Sequence, residues 1–169
     1  MRSDSLDEIY RSVEEAAERL SRLHGPRLNC RRGCWRCCVD ELTVFEVEAL
    51  YIRQNFAELL EAGEPHAEGA CAFLDSRGDC RIYEARPYVC RTQGLPLRWI
   101  EEVSEEELVE MRDICPLNDP GTPVEELPEN FCWSIGPVEE RLARLQASID
   151  GGRLRRVPLR SLFLKGEKP

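Results

Sequence analysis

Nine cysteines in a chain of 169 residues restrict what this sequence can fold into more than any other feature. They are Cys30, Cys34, Cys37, Cys38, Cys71, Cys80, Cys90, Cys115 and Cys132, and the first four fall in the single stretch Cys30-Arg-Arg-Gly-Cys34-Trp-Arg-Cys37-Cys38. An odd count fits a disulfide framework badly. The start, Met1-Arg2-Ser3-Asp4, leads straight into Asp7 and Glu8 with no apolar core of a secretory signal. No apolar run approaches the ~20 residues a membrane helix needs. These features predict a cytoplasmic protein, and in a reducing compartment dense cysteines point to metal rather than to disulfides.

A tetrahedral thiolate site needs several sulfurs converging at bond lengths of ~2.3 Å, which short cysteine spacings supply at little cost in chain entropy. Read as helical, Cys30 to Cys38 would bring three of its thiols to one face. The segment Cys71-Ala-Phe-Leu-Asp-Ser-Arg-Gly-Asp-Cys80 reads as a hairpin turning at residues 76–79, with Cys71 and Cys80 side by side across its ladder. Cys90 follows from the next turn. Arg31, Arg32, Arg36, Arg81, Arg86 and Arg91 crowd these segments in an otherwise acidic chain, and guanidinium groups would offset thiolate charge. Cys115 and Cys132 sit in proline-rich loops that a metal would order, so all nine cysteines are candidate ligands. Four thiolates satisfy one tetrahedral ion, which predicts more than one zinc ion per chain. Three ions on nine bridging and terminal thiolates would carry a charge of about −3. Zinc and iron both accept all-thiolate sites, so iron or an iron–sulfur cluster stays open as the alternative.

The run Cys-x3-Cys-x2-Cys-Cys, then Cys71-Ala-Phe-Leu, then Cys80-Arg-Ile-Tyr-Glu-Ala-Arg-Pro-Tyr-Val-Cys90-Arg resembles the YkgJ-type CxxCxxCC family of zinc- or iron-chelating proteins. The likeness covers roughly residues 28 to 95, with three residues rather than two in the first spacing. It implies a metal site on Cys30, Cys34, Cys37, Cys38, Cys71, Cys80 and Cys90, and implies little about activity. A related cysteine region occurs in flagellin lysine methylases, where an iron–sulfur cluster accompanies it. By that analogy a redox, electron-transfer or methyl-transfer role stays open.

The formal charge of −9, from 23 basic and 32 acidic residues, repels phosphate backbones and anionic lipid, so neither nucleic acid nor membrane is an expected partner. Metal ions are the expected partners, with a protein partner open. The basic end, Arg153, Arg155, Arg156, Arg160 and Lys165, reads as a solvated tail. Cys30-x3-Cys34-x2-Cys37 is also the spacing of radical S-adenosylmethionine enzymes. Arg36 replaces the usual aromatic residue there, a helix rather than a strand precedes the motif, and the chain is short for a barrel. His24 and His66, the only histidines, read as loop residues rather than ligands, and Asp40 and Glu41 as exposed carboxylates. Trp35, Trp99 and Trp133 read as core or as shielding of the centre. There is no phosphate loop or serine–histidine constellation, so whether the chain is an enzyme is not legible.

Capping boxes and apolar spacing predict helices over 5–23 (Ser5, Glu8), to about 61 behind Thr43 and Glu46, and to about 113 behind Ser104 and Glu107. A short strand is expected over Leu95–Ile100. Pro137 opens a last helix, 137–150, stopped by Gly151-Gly152. The expected fold is a single small domain over 1–169, mostly α with a small β-hairpin (α+β). It is an irregular cysteine-rich fold organised around a metal site, with a metal-binding core at about 28–135 between the two terminal helices.

Overall fold

The computed structural model describes residues 5–104 and 107–163. It is a small α+β structure, with two small sheets and five helices among the described residues. The chain divides into two compact units, Met1–Cys30 with Arg91–Leu142, and Arg31–Cys90 with Ala143–Pro169. No helix among the described residues is long and apolar enough to cross a membrane.

The first unit opens with α1 (Leu6–Leu23), placed where its sequence signals put it. The Ser5 hydroxyl accepts from the Glu8 N–H at 3.3 Å while the Glu8 carboxylate accepts from the Ser5 N–H at 2.8 Å, satisfying two donors that a helix start would otherwise leave open. Ile9, Val13, Ala17 and Leu20 recur on one face and are buried. The unit also carries a three-stranded sheet. Strands β2 (Leu97–Ser104) and β3 (Glu107–Asp113) pair antiparallel, and β4 (Trp133–Ser134) lies parallel on the other side of β2. The helix expected to run to 113 is therefore strand β3. Its capping box and its Glu-Leu-Met-Arg composition favour a helix locally, but pairing with β2 overrides that preference. Trp99 stands opposite Met111 and Glu101 opposite Val109, and the Glu110 carboxylate takes both Arg98 and Arg112 at 2.5 Å. The stretch after Cys115 runs through three short 3-10 turns, as its prolines predict.

The second unit is built on strand β1 (Thr43–Phe45) and strand β5 (Arg156–Pro158), paired antiparallel with Val44 opposite Val157. Thr43 thus belongs to a strand rather than to a helix cap. Helix α2 (Glu46–Asn55) is capped at Phe45, two residues later than expected, and ends early, and a separate turn of helix, α3 (Ala57–Ala62), follows Phe56. The break comes where the Asn55 side-chain amide donates to the Tyr51 carbonyl at 2.8 Å and Phe56 leaves helical dihedrals. The core joins Val44, Ala49, Ile52, Phe73, Ile82, Val157, Leu159, Leu162 and Phe163. Arg153, Arg155 and Arg156 are exposed, as expected of a solvated segment, but the segment is ordered and anchored. The Arg156 guanidinium stacks on Phe45 at 4.5 Å and Arg155 reaches Glu46 at 3.3 Å, between apolar residues that are buried. Lys165 lies outside the described residues. The last long helix, α5 (Gly136–Asp150), ends at two glycines with positive φ, as expected.

Candidate metal centre

The four-cysteine stretch is not helical. It makes two successive tight turns, closed by Cys34 N–H to Arg31 C=O and Cys38 N–H to Trp35 C=O, each at 2.9 Å. Gly33 takes φ +81°, which an L-residue adopts only at a cost. Such turns present side chains of short spacing to one side without a helix.

The expected hairpin reduces to a single bridge, Leu74 opposite Cys80, around a turn at Asp75–Asp79. Cys71 therefore does not face Cys80 across a ladder; its carbonyl accepts from the Leu74 N–H at 3.1 Å in a turn of its own. Asp75 shapes the chain here, its carboxylate accepting from the Arg77 and Asp79 N–H groups. Cys71 and Cys80 both pack against the core around Phe73 and Ile82, which fixes their backbones from below. Cys90 sits on the short helix α4 (Tyr88–Thr92).

Three contacts dock the four-cysteine loop on the Cys71–Cys80 segment. The Cys71 N–H donates to the Cys38 carbonyl at 2.9 Å. Arg32 pairs with Asp79 at 2.7 Å. The Trp35 ring lies over Gly78, so close that a Cβ there would come within 2.7 Å of it. Asp40 is occupied by Arg160, which also donates to the His66, Ala67 and Ala70 carbonyls and so ties down the approach to Cys71. Glu48, only 2% exposed, accepts from the Tyr88 N–H at 2.8 Å and the Phe45 N–H at 3.3 Å, fastening the start of α4 beneath Cys90.

This packing brings Cys37, Cys38, Cys71, Cys80 and Cys90 within reach of one another's charge. The Cys38 thiol donates to the Cys37 sulfur, which holds Cys37 down at about 6. The same hydrogen bond pushes Cys38 upward, with burial and the charges of Cys37, Cys71 and Cys90 adding to it. Burial, then Cys71, Cys80, Glu48 and Cys37, drive Cys90 well above the ordinary thiol range. Burial raises Cys71 and Cys80 too, against the pull of Arg81 on both, Arg160 on Cys71 and Arg86 on Cys80. Cys38, Cys71, Cys80 and Cys90 resist ionising because burial and one another's charge outweigh the backbone N–H groups of Phe73 and Ile82 and the nearby arginines, and a divalent cation would reverse that balance.

The donor chemistry fits a thiophilic metal. Arg81 adds to the fit, since its Nε is buried without a hydrogen-bond partner while its charge favours the neighbouring thiolates. Its terminal nitrogen donates to the Glu64 and Ala72 carbonyls, and Arg86 stacks on Tyr83 at 4.0 Å. Among the described residues no three His, Cys, Asp or Glu side chains are arranged so that they could hold an ion as they stand.

Cys30, Cys115 and Cys132 stand in the first unit, and Cys34 in the second. Cys30 accepts a hydrogen bond from Asn118 Nδ2 at 3.3 Å, and the same amide donates to the Gly94 carbonyl at 2.8 Å. Cys115 precedes a 3-10 turn closed by Asn118 N–H to Cys115 C=O at 2.7 Å. Cys132 is buried with Ile114, Val124 and Leu127, and burial raises its thiol. His24 is also buried, its Nε2 2.7 Å from the Phe131 carbonyl and its ring edge-on to Phe131, which makes it a packing residue. Arg91 serves this unit as well, pairing with Glu14 at 2.5 Å and stacking on Tyr10 at 4.0 Å. Asn118, Glu48 and Arg160 are the positioning residues that sequence reasoning passed over. Only Asn118, three residues after Cys115, left a local signal.

The family model described as "CxxCxxCC: Putative zinc- or iron-chelating domain" matches residues 29–116, half of the chain. The chain belongs to this family. The matched segment of the CxxCxxCC chain contains eight of its nine cysteines, from Cys30 to Cys115, and excludes Cys132. No curated protein and no solved structure matches it.

Proposed function

We propose that this CxxCxxCC protein binds zinc or iron through Cys34, Cys37, Cys38, Cys71, Cys80 and Cys90, and that it holds two ions rather than one. The observation that supports the reading is that Cys37, Cys38, Cys71, Cys80 and Cys90, from three separate segments, bear on one another's charge. Cys34 stands at the end of the turn that precedes Trp35, on the same loop. Six thiolates exceed the four that one tetrahedral ion takes, and they match two ions sharing two bridging sulfurs, with a net charge of about −2. Arg81, Arg86 and Arg160 would offset that charge. Cys30, Cys115 and Cys132, the remaining candidate ligands, belong to the other compact unit and are not counted in this set.

The test is native mass measurement and elemental analysis of protein purified with and without oxygen. Two zinc ions per chain, lost on denaturation, are expected from aerobic preparations. Neither zinc nor iron at near-stoichiometric level would sink the reading. Brown protein with broad absorbance near ~400 nm, obtained only without oxygen, would assign an iron–sulfur centre to the same cysteines.

A further inference from the structure

The thiols of the centre are unequally shielded. Cys71 and Cys80 press on the hydrophobic core, Cys38 is tied through its carbonyl to Cys71, and Cys90 sits on a helix anchored by buried Glu48. All four are partly buried, whereas Cys37 is exposed. It occupies the crest of the Trp35–Cys38 turn, between two further exposed side chains, Trp35 and Val39, each 51% accessible. A closed structural zinc site would turn its sulfurs inward. Here Cys37 is the one exposed residue of the five, its sulfur accepting from the half-buried Cys38 thiol.

We propose that Cys37 is the ligand through which metal enters and leaves, so that the ion is cargo exchanged with thiol-bearing or chelating acceptors. The inference rests on the metal-binding reading above. In the transfer step a sulfur–metal bond forms from the acceptor thiol as the Cys37 sulfur–metal bond breaks. The proton released by the acceptor thiol is taken up by the Cys37 sulfur, and nothing is oxidised or reduced. The sheltered ligands keep the ion from being lost to water before the acceptor arrives, which makes the exchange associative.

Two measurements on the zinc-loaded full chain test this. The first follows zinc transfer to the chromophoric chelator 4-(2-pyridylazo)resorcinol, and separately to glutathione, over a range of acceptor concentrations. The rate should rise in proportion to acceptor; a rate independent of acceptor would overturn the inference. The second treats the loaded chain with iodoacetamide and maps the modified peptides by mass. Cys37 should react at least about tenfold faster than Cys38, Cys71, Cys80 or Cys90, with zinc released in step. Faster modification of any of those four would also overturn it. A chain that takes up no zinc at all sinks the metal-binding reading itself, whereas either of the other adverse results sinks only the role of Cys37.

Discussion

Replacing Gly94 by alanine tests the packing that holds the Cys30 end of the four-cysteine stretch. Gly94 has φ +91°, and a Cβ built on it would lie 2.4 Å from the Cys30 sulfur and 3.2 Å from Asn118 Nδ2. The left-handed backbone costs an L-residue about 1–2 kcal/mol. The clash adds about 1–3 kcal/mol, because the sulfur can yield only by leaving the amide of Asn118, which is fully buried and would lose that partner. Gly33→Ala supplies the comparison: its φ is +81° and nothing lies within 4 Å of the added carbon, so only the backbone cost applies. Urea unfolding should show Gly94→Ala losing about 3 kcal/mol, roughly 6–12 °C in melting temperature for a chain of this size, and Gly33→Ala about 1 kcal/mol. If the two variants differ by less than about 0.5 kcal/mol, the close approach of Gly94, Cys30 and Asn118 is wrong.

Two further outcomes follow from the thiols. Cys80→Ser should lower metal content measured by elemental analysis, while Cys132→Ala, in a small apolar cluster, should leave metal content unchanged and cost about 1 kcal/mol in denaturant unfolding. In metal-free protein, Cys71, Cys80 and Cys90 sit above the ordinary 9.0 of a thiol, so between that value and their folded values the unfolded chain has released protons that the native chain still holds. Stability contributed by these groups is complete below pH 9 and lost above it, and the melting temperature of the metal-free chain should fall as pH rises from 8 to 10. A rise over that interval would refute the crowding.

How far the sequence reached depended on whether the deciding interaction was local. Helix α1 was legible because Ser5, Glu8 and the apolar face all lie within one segment, and the end of α5 because Gly151 and Gly152 punctuate it. Strand β3 was not legible. Ser104, Glu107 and a run of good helix formers say helix, and only the distant partners Trp99 and Arg98 decide otherwise. The arginines near the C-terminus hid an apolar series, Val157, Leu159, Leu162 and Phe163, that closes the second core. The spacing of Cys37, Cys38, Cys71, Cys80 and Cys90 marked them as candidate ligands, but the helix and the ladder expected to bring them together are replaced by tight turns and a single bridge. That Cys30 bonds to Asn118, and that Cys132 packs with Ile114 and Leu127, depends on side chains far along the chain.

Those same distant contacts change what removing the metal should do. With only the sequence in view, the cysteine loop and the Cys71–Cys80 segment have no reason to meet except an ion, and chelation should unfold the chain cooperatively. The structure supplies other reasons: the Cys71–Cys38 backbone bond, the Arg32–Asp79 pair, Trp35 on Gly78, and Arg160 across residues 66–70. Beneath them, Val44, Ile52, Phe73, Ile82 and Phe163 form a core that needs no thiolate. The exposed contacts are individually weak and the core is not. Stripping metal should therefore loosen the loop and spare the core beneath it. Hydrogen exchange read by mass spectrometry, with and without chelator, separates the outcomes: amides of residues 31–40 and 75–80 should exchange at least about tenfold faster, and those around Ile52 should not change. Equal acceleration at Ile52 would mean that the metal, rather than the apolar core, holds the second unit together.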